Sequence, residues 1–126
     1  MAMVQRAGVG EVSREPFAPR IYYFHPFLAG PRTTWPLQLQ RCRAMGFDHL
    51  LTAPLFAPGA AGDLFLTADH DRAHPAIEQS LDADQLIAEM ARQCRNAGLG
   101  LLLDIVIGRV ANDAALTQSH PDWFAW

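Results

Sequence analysis

The chain has 126 residues, half of them hydrophobic, with 10 Lys and Arg against 13 Asp and Glu for a formal net charge of −3. That length and apolar content suffice for one globular domain with a buried core, and the scattered basic residues exclude a stripe for a phosphate backbone, so no nucleic-acid partner is expected. Two cysteines, Cys42 and Cys94, do not make a disulfide scaffold and read as reduced core thiols.

Residues 1–19 are expected to be a poorly ordered leader. No charged segment there precedes a sustained apolar run, so neither a signal peptide nor a membrane span is indicated, and the cytoplasm is the expected location. The β-rich run at 21–24, closed by Pro26, is strand one, and Gly30 and Pro31 punctuate the chain after it. Thr33 or Thr34 can cap a helix with Pro36 in its first turn; Trp35, Leu39 and Cys42 share one face, and Gly46 suits the position just past the end. Residues 47–53 run extended into Pro54 as strand two, whereas 58–79 show neither helical nor strand period. A loop of that length is uncommon without a function. Asp82 with Gln85 forms a capping pair, Leu86, Met90, Cys94 and Ala97 recur at helical spacing, and Gly98 stops the helix. Strand three, residues 99–106, carries Asp104 inside an apolar run. A buried carboxylate is costly unless paired, so Asp104 needs a cationic partner or a mouth of the fold in which to work.

Three strands joined by two helices predict an α/β fold: a parallel βαβαβ unit with right-handed crossovers. Such units occur in doubly wound sheets and in (β/α)8 TIM barrels. The segment from Pro26 to Pro31 after strand one is no GxGxxG, and Gly59 and Gly62 are isolated, so the first three strands of a barrel are expected. In a barrel the loops after the strands line the active face, which would bring the 58–79 loop and the end of strand three to one side.

Four segments then resemble one family. Gly46 to Pro58, reading Gly-Phe-Asp-His-Leu-Leu-Thr-Ala-Pro-Leu-Phe-Ala-Pro, is similar to the second strand of α-amylase superfamily barrels. Phe65 to His70 (Phe-Leu-Thr-Ala-Asp-His) resembles that family's Tyr-x-x-x-Asp-Tyr loop, and Asp104 to Arg109 (Asp-Ile-Val-Ile-Gly-Arg) its Asp-x-Val-x-Asn-His. Ser119 to Phe124 (Ser-His-Pro-Asp-Trp-Phe) resembles the segment after strand three in the superfamily's branch of maltosyltransferases that use maltose 1-phosphate. The resemblance covers the chain from about Arg20 onward.

It implies an α-glucan-active glycoside hydrolase or glycosyltransferase of carbohydrate metabolism, taking an α-glucan or maltosyl substrate. By the same resemblance Asp104 is site-supporting, matching an aspartate that holds an arginine near the nucleophile. Asp69 matches the aspartate that helps bind the reacting sugar. Phe65 stands where a stacking tyrosine is usual, keeping the aromatic platform and losing the hydroxyl. Gly108 and Arg109 replace Asn-His, removing a calcium-ligating amide and a substrate-contacting imidazole. This argues against the family's calcium site and against an ordinary amylase, while Arg109 offers a bidentate donor to a phosphate or sugar hydroxyl. The substrate-binding candidates are therefore Phe65, Asp69, His70 and Arg109; no catalytic residue, metal or cofactor is assigned.

Retaining glycosyl transfer needs two carboxylates about 5 Å apart, which the family draws from strands four and five. Residues 20–126 are thus expected to be the N-terminal part of a catalytic barrel, truncated after strand three and inactive alone, with open sheet edges prone to self-association. A small self-contained α/β binding module that dimerises is the alternative. Among other residues, Asp69, His70, Asp71, Arg72 and His74 have metal-like spacing but read as a solvated loop with local ion pairs. His25 reads first as a hydrogen-bonded strand-end residue and second, given its place on the expected active face, as a catalytic base. Trp123, Phe124 and Trp126 read first as part of a core whose other half is missing from these residues, and second as a sugar platform.

Overall fold

The computed structural model describes residues 18–125, so the leader expected over 1–19 lies largely outside the described residues, as does Trp126. The elements in chain order are β1 (Ile21–Phe24), α1 (Trp35–Ala44), β2 (His49–Thr52), β3 (Phe56–Pro58), β4 (Thr67–Ala73), α2 (Ala83–Asn96), β5 (Gly100–Leu103) and α3 (Ala115–Ser119). β1, β2 and β5 form a parallel three-stranded sheet in that order, and β3 and β4 form a separate antiparallel pair.

Apolar residues at helical spacing decide which sheet face is covered. Trp35, Leu39 and Cys42 of α1, with Leu86, Met90 and Cys94 of α2, are all buried against Phe24 and Leu50. Phe24 meets Trp35 edge to face at 5.2 Å. Emptying one of these leucine sites typically costs about 2–5 kcal/mol. Burial also raises both thiols, with Cys94 pushed up to about 11, so these free cysteines behave as unreactive core groups. The opposite face is open: Ile21, Tyr23 and Leu102 are 42%, 45% and 39% exposed.

Local chemistry sets the helix ends. At α2 the Gln85 N–H donates to Asp82 Oδ1 at 2.8 Å, and the Asp82 N–H donates to Gln85 Oε1 at 3.1 Å, completing the expected capping box. Gly46 and Gly98 take φ of +94° and +76° just beyond α1 and α2, where a side chain would be strained. At α1 the cap position is Thr34, but its hydroxyl donates to Pro31 O at 2.7 Å instead of capping the helix. Arg32 ties the start of α1 to the rest of the layer by pairing with Glu78 at 2.5 Å and Glu89 at 2.7 Å.

Two expectations need correction. The 58–79 stretch is not structureless, because Thr67–Ala73 is a strand paired with Phe56–Pro58. Its middle is polar and largely solvent-facing, and its pairing shifts register twice, so it has no period-two apolar signal. Strand three ends at Leu103 rather than 106: the last ladder bond runs from the Asp104 N–H to Thr52 O at 3.0 Å, and the neighbouring chain turns away through Pro54. Ile105 and Ile107 beyond it are 48% and 92% exposed. Among the described residues no helix is long and apolar enough to cross a membrane.

Candidate functional site

The carboxyl ends of the parallel strands form a mouth on the open side of the sheet. The register pairs Tyr23 with Leu51 and Leu51 with Leu102. The residues two positions on, His25, Ala53 and Asp104, lie just past the strand ends, with Ala53 fully buried between the other two. The Ala53 N–H bonds Phe24 O at 3.0 Å and the Asp104 N–H bonds Thr52 O, which keeps this row in the ladder. Asp104 is half-buried there, and Tyr23 below it is sensitive to its charge: burial raises the Tyr23 pKa first, and the Asp104 carboxylate raises it further. Asp104 makes no hydrogen bond or ion pair through its side chain among the described residues.

The β3/β4 hairpin carries the next group. Asp69 is half-buried on β4 opposite Ala57, and its Oδ1 accepts the Asp71 N–H at 2.9 Å. His70 is exposed and packs its ring on Phe56 with centroids 5.2 Å apart. Phe65 sits half-buried in the turn before β4, where its N–H donates to Asp63 Oδ1 at 2.9 Å. The expected ion pairs within the 69–74 cluster are absent among the described residues, and strand pairing holds the segment instead. His74 at its end is buried, with Nδ1 accepting the Ala76 N–H at 3.1 Å; burial lowers its pKa.

A clasp joins this hairpin to the segment after β5. Asp113 Oδ2 accepts the Ala60 N–H at 2.7 Å, and the Ala111 N–H donates to Thr67 O at 2.9 Å. Gly59 is required at the crossing, since a Cβ there would lie 2.5 Å from Ala111 Cβ. Asp113 is 53 residues away from its partner, and nothing local in the sequence announces it. Beyond the clasp, Arg109 is exposed on the wall of a hollow of about 280 Å³ shared with Asn112, Thr117, Trp123 and Phe124. Trp123 is 64% exposed and stacks on His120 with centroids 4.0 Å apart.

The structure therefore groups Phe65, Asp69 and His70 on one hairpin and docks that hairpin on the segment carrying Arg109. Among the described residues no hydrogen bond or ion pair links Asp69, Asp104 and Arg109 to one another. No group of three or more metal-ligating side chains occurs there either.

A parallel sheet covered by helices on one side is an arrangement found in TIM barrels. The solved structures agree on the fold. An α-amylase from Lactobacillus plantarum superposes with a TM-score of 0.72 at 22% identity, covering 85% of this chain and 26% of that one. The maltogenic α-amylase AmyB from Thermotoga neapolitana gives 0.70 at 19% identity, covering 86% and 27%. No protein-family profile matches the chain. Among curated proteins, the alpha-1,4-glucan:maltose-1-phosphate maltosyltransferase of Burkholderia pseudomallei (strain K96243) is 35% identical over 112 residues, covering 89% of this chain and 10% of that protein. The chain fits a segment of α-amylase superfamily enzymes, as its motifs led us to expect. It spans about one tenth of the curated relative it matches and about a quarter of the two amylases.

Proposed function

We propose that these residues form the first three βα units of a (β/α)8 barrel in an α-glucan-active glycoside hydrolase or glycosyltransferase, and that their mouth binds part of the saccharide. The observation that carries this reading is the 35% identity to a maltosyltransferase over 112 residues, a span long enough to include most of the chain. In this reading Asp69 binds hydroxyls of the reacting sugar, Phe65 gives it an aromatic platform, and His70 and Arg109 contact neighbouring parts of the substrate. Asp104 supports the site by holding a cation brought by another strand, and its lack of a side-chain partner among the described residues favours that role. The nucleophile and acid/base belong to other strands of the same barrel. A cytoplasmic location is part of the proposal, consistent with the free, buried Cys42 and Cys94. So is self-association of these residues when isolated, through the sheet edges and the exposed Ile21, Tyr23 and Leu102.

Calorimetric titration of the intact protein with maltotetraose tests the reading. The wild type should bind, and Asp69→Asn should weaken binding by about tenfold or more, the worth of one good hydrogen bond to a charged group. Undetectable binding by the wild type would rule the reading out.

A further inference from the structure

The chain makes the same turn twice with different outcomes at the ring. In His25-Pro26-Phe27-Leu28-Ala29, the His25 carbonyl accepts N–H groups from Leu28 at 3.0 Å and Ala29 at 3.1 Å. In His74-Pro75-Ala76-Ile77-Glu78, the His74 carbonyl accepts from Ile77 at 2.9 Å and Glu78 at 3.0 Å. The second histidine closes on its own turn, since its Nδ1 accepts the Ala76 N–H. The first does not. His25 Nδ1 is sealed from water with no hydrogen-bond partner, and Phe27, the residue equivalent to Ala76, only packs its ring near the imidazole at 5.8 Å.

That orphan nitrogen bears on the tautomer. A buried N–H without an acceptor is rarer and costlier than a buried lone pair, so of the two neutral tautomers the site suits Nε2–H better. Of the two ring nitrogens only Nδ1 is sealed off, which leaves Nε2–H as the reachable donor. His25 also stands level with Ala53 and Asp104 at the carboxyl ends of the strands, the row where parallel α/β sheets contact ligands. Neighbouring strands lie about 4.8 Å apart, so His25 and Asp104 stand roughly 10 Å apart on either side of the fully buried Ala53.

We propose that His25 is a substrate-contacting residue whose Nε2–H donates a hydrogen bond to an oxygen of the bound saccharide at the mouth. This rests on the reading of the mouth as a saccharide site and adds a residue to it. Two measurements on the intact protein test it. Long-range ¹⁵N imidazole spectra of the wild type should show His25 as the Nε2–H tautomer, with its Nε2 signal moving when maltotetraose is added. In calorimetric titrations with maltotetraose, His25→Leu should lose about tenfold in affinity, whereas His25→Gln, whose amide nitrogen reaches the Nε2 position, should retain it. A purely packing role predicts no such split between Gln and Leu. An Nδ1–H tautomer, a stationary Nε2 signal, or wild-type affinity in His25→Leu alongside weakened binding in Asp69→Asn would overturn the assignment and leave the saccharide site standing. Absence of binding by the wild type would instead remove both.

Discussion

The two ends of the parallel sheet treat polar groups in opposite ways. At the amino ends the set is closed: Asp48 accepts the Arg20 N–H at 2.9 Å, meets His49 Nδ1 at 2.6 Å and pairs with the Arg20 guanidinium at 3.5 Å. The His49 hydrogen bond, with help from Arg20, holds Asp48 below the usual carboxylate range. At the carboxyl ends the set is open. Among the described residues Asp104, Arg109 and the His25 ring have no hydrogen-bond or ion-pair partner, and Asp69 accepts only its neighbour's N–H. Closed sets contribute to folding; open ones cost stability and are kept where a ligand or another strand completes them.

The contrast breaks most visibly at Gly100. A Cβ there would lie 2.5 Å from His49 Cδ2, and Asp48 restrains the ring from swinging aside. Gly100→Val should cost about 1–3 kcal/mol by chemical denaturation, as overpacking does, with saccharide affinity unchanged. At the other end the pattern should invert. Arg109→Ala should shift stability by less than about 0.5 kcal/mol, as exposed substitutions do, yet weaken maltotetraose binding several-fold. Loss of stability with intact binding at Arg109 would erase the distinction.

Acidity probes it more finely. Burial lowers the His74 pKa, so the folded state takes up its proton later than the unfolded chain does. That contribution to stability is fully present above the unfolded value of about 6.5 and is lost as pH falls through the folded one. His74→Asn keeps an acceptor for the Ala76 N–H without titrating, and its Tm should fall less than the wild type's between about pH 7 and pH 5. The smallest effect belongs to Asp48. Its lowered pKa stabilises the fold above the unfolded carboxylate value of about 3.9 and ceases to as pH drops through the folded value. Asp48→Asn should therefore have a lower urea midpoint at neutral pH, with the gap to wild type closing in strong acid.

Features governed by near neighbours were legible before the fold was known. The Asp82 and Gln85 box lies within one helical turn, Gly46 and Gly98 come directly after periodic apolar runs, and Asp104 stands out as a carboxylate among Leu and Ile. The β4 strand was hidden because Asp69, His70, Asp71 and Arg72 give it no apolar alternation. The clasp of Gly59 and Asp113 was hidden by sequence distance. The status of His25 needed the partners of both ring nitrogens, which no sequence pattern carries.

Hydrogen exchange of the intact protein with and without saturating maltohexaose tests the division between the two ends most directly. A saccharide site at the open end predicts slowed exchange at 63–71 and 104–113, on the carboxyl side of the sheet, with Arg20, Asp48 and Gly100 unchanged. Protection at the amino ends instead, or at neither end, would contradict it.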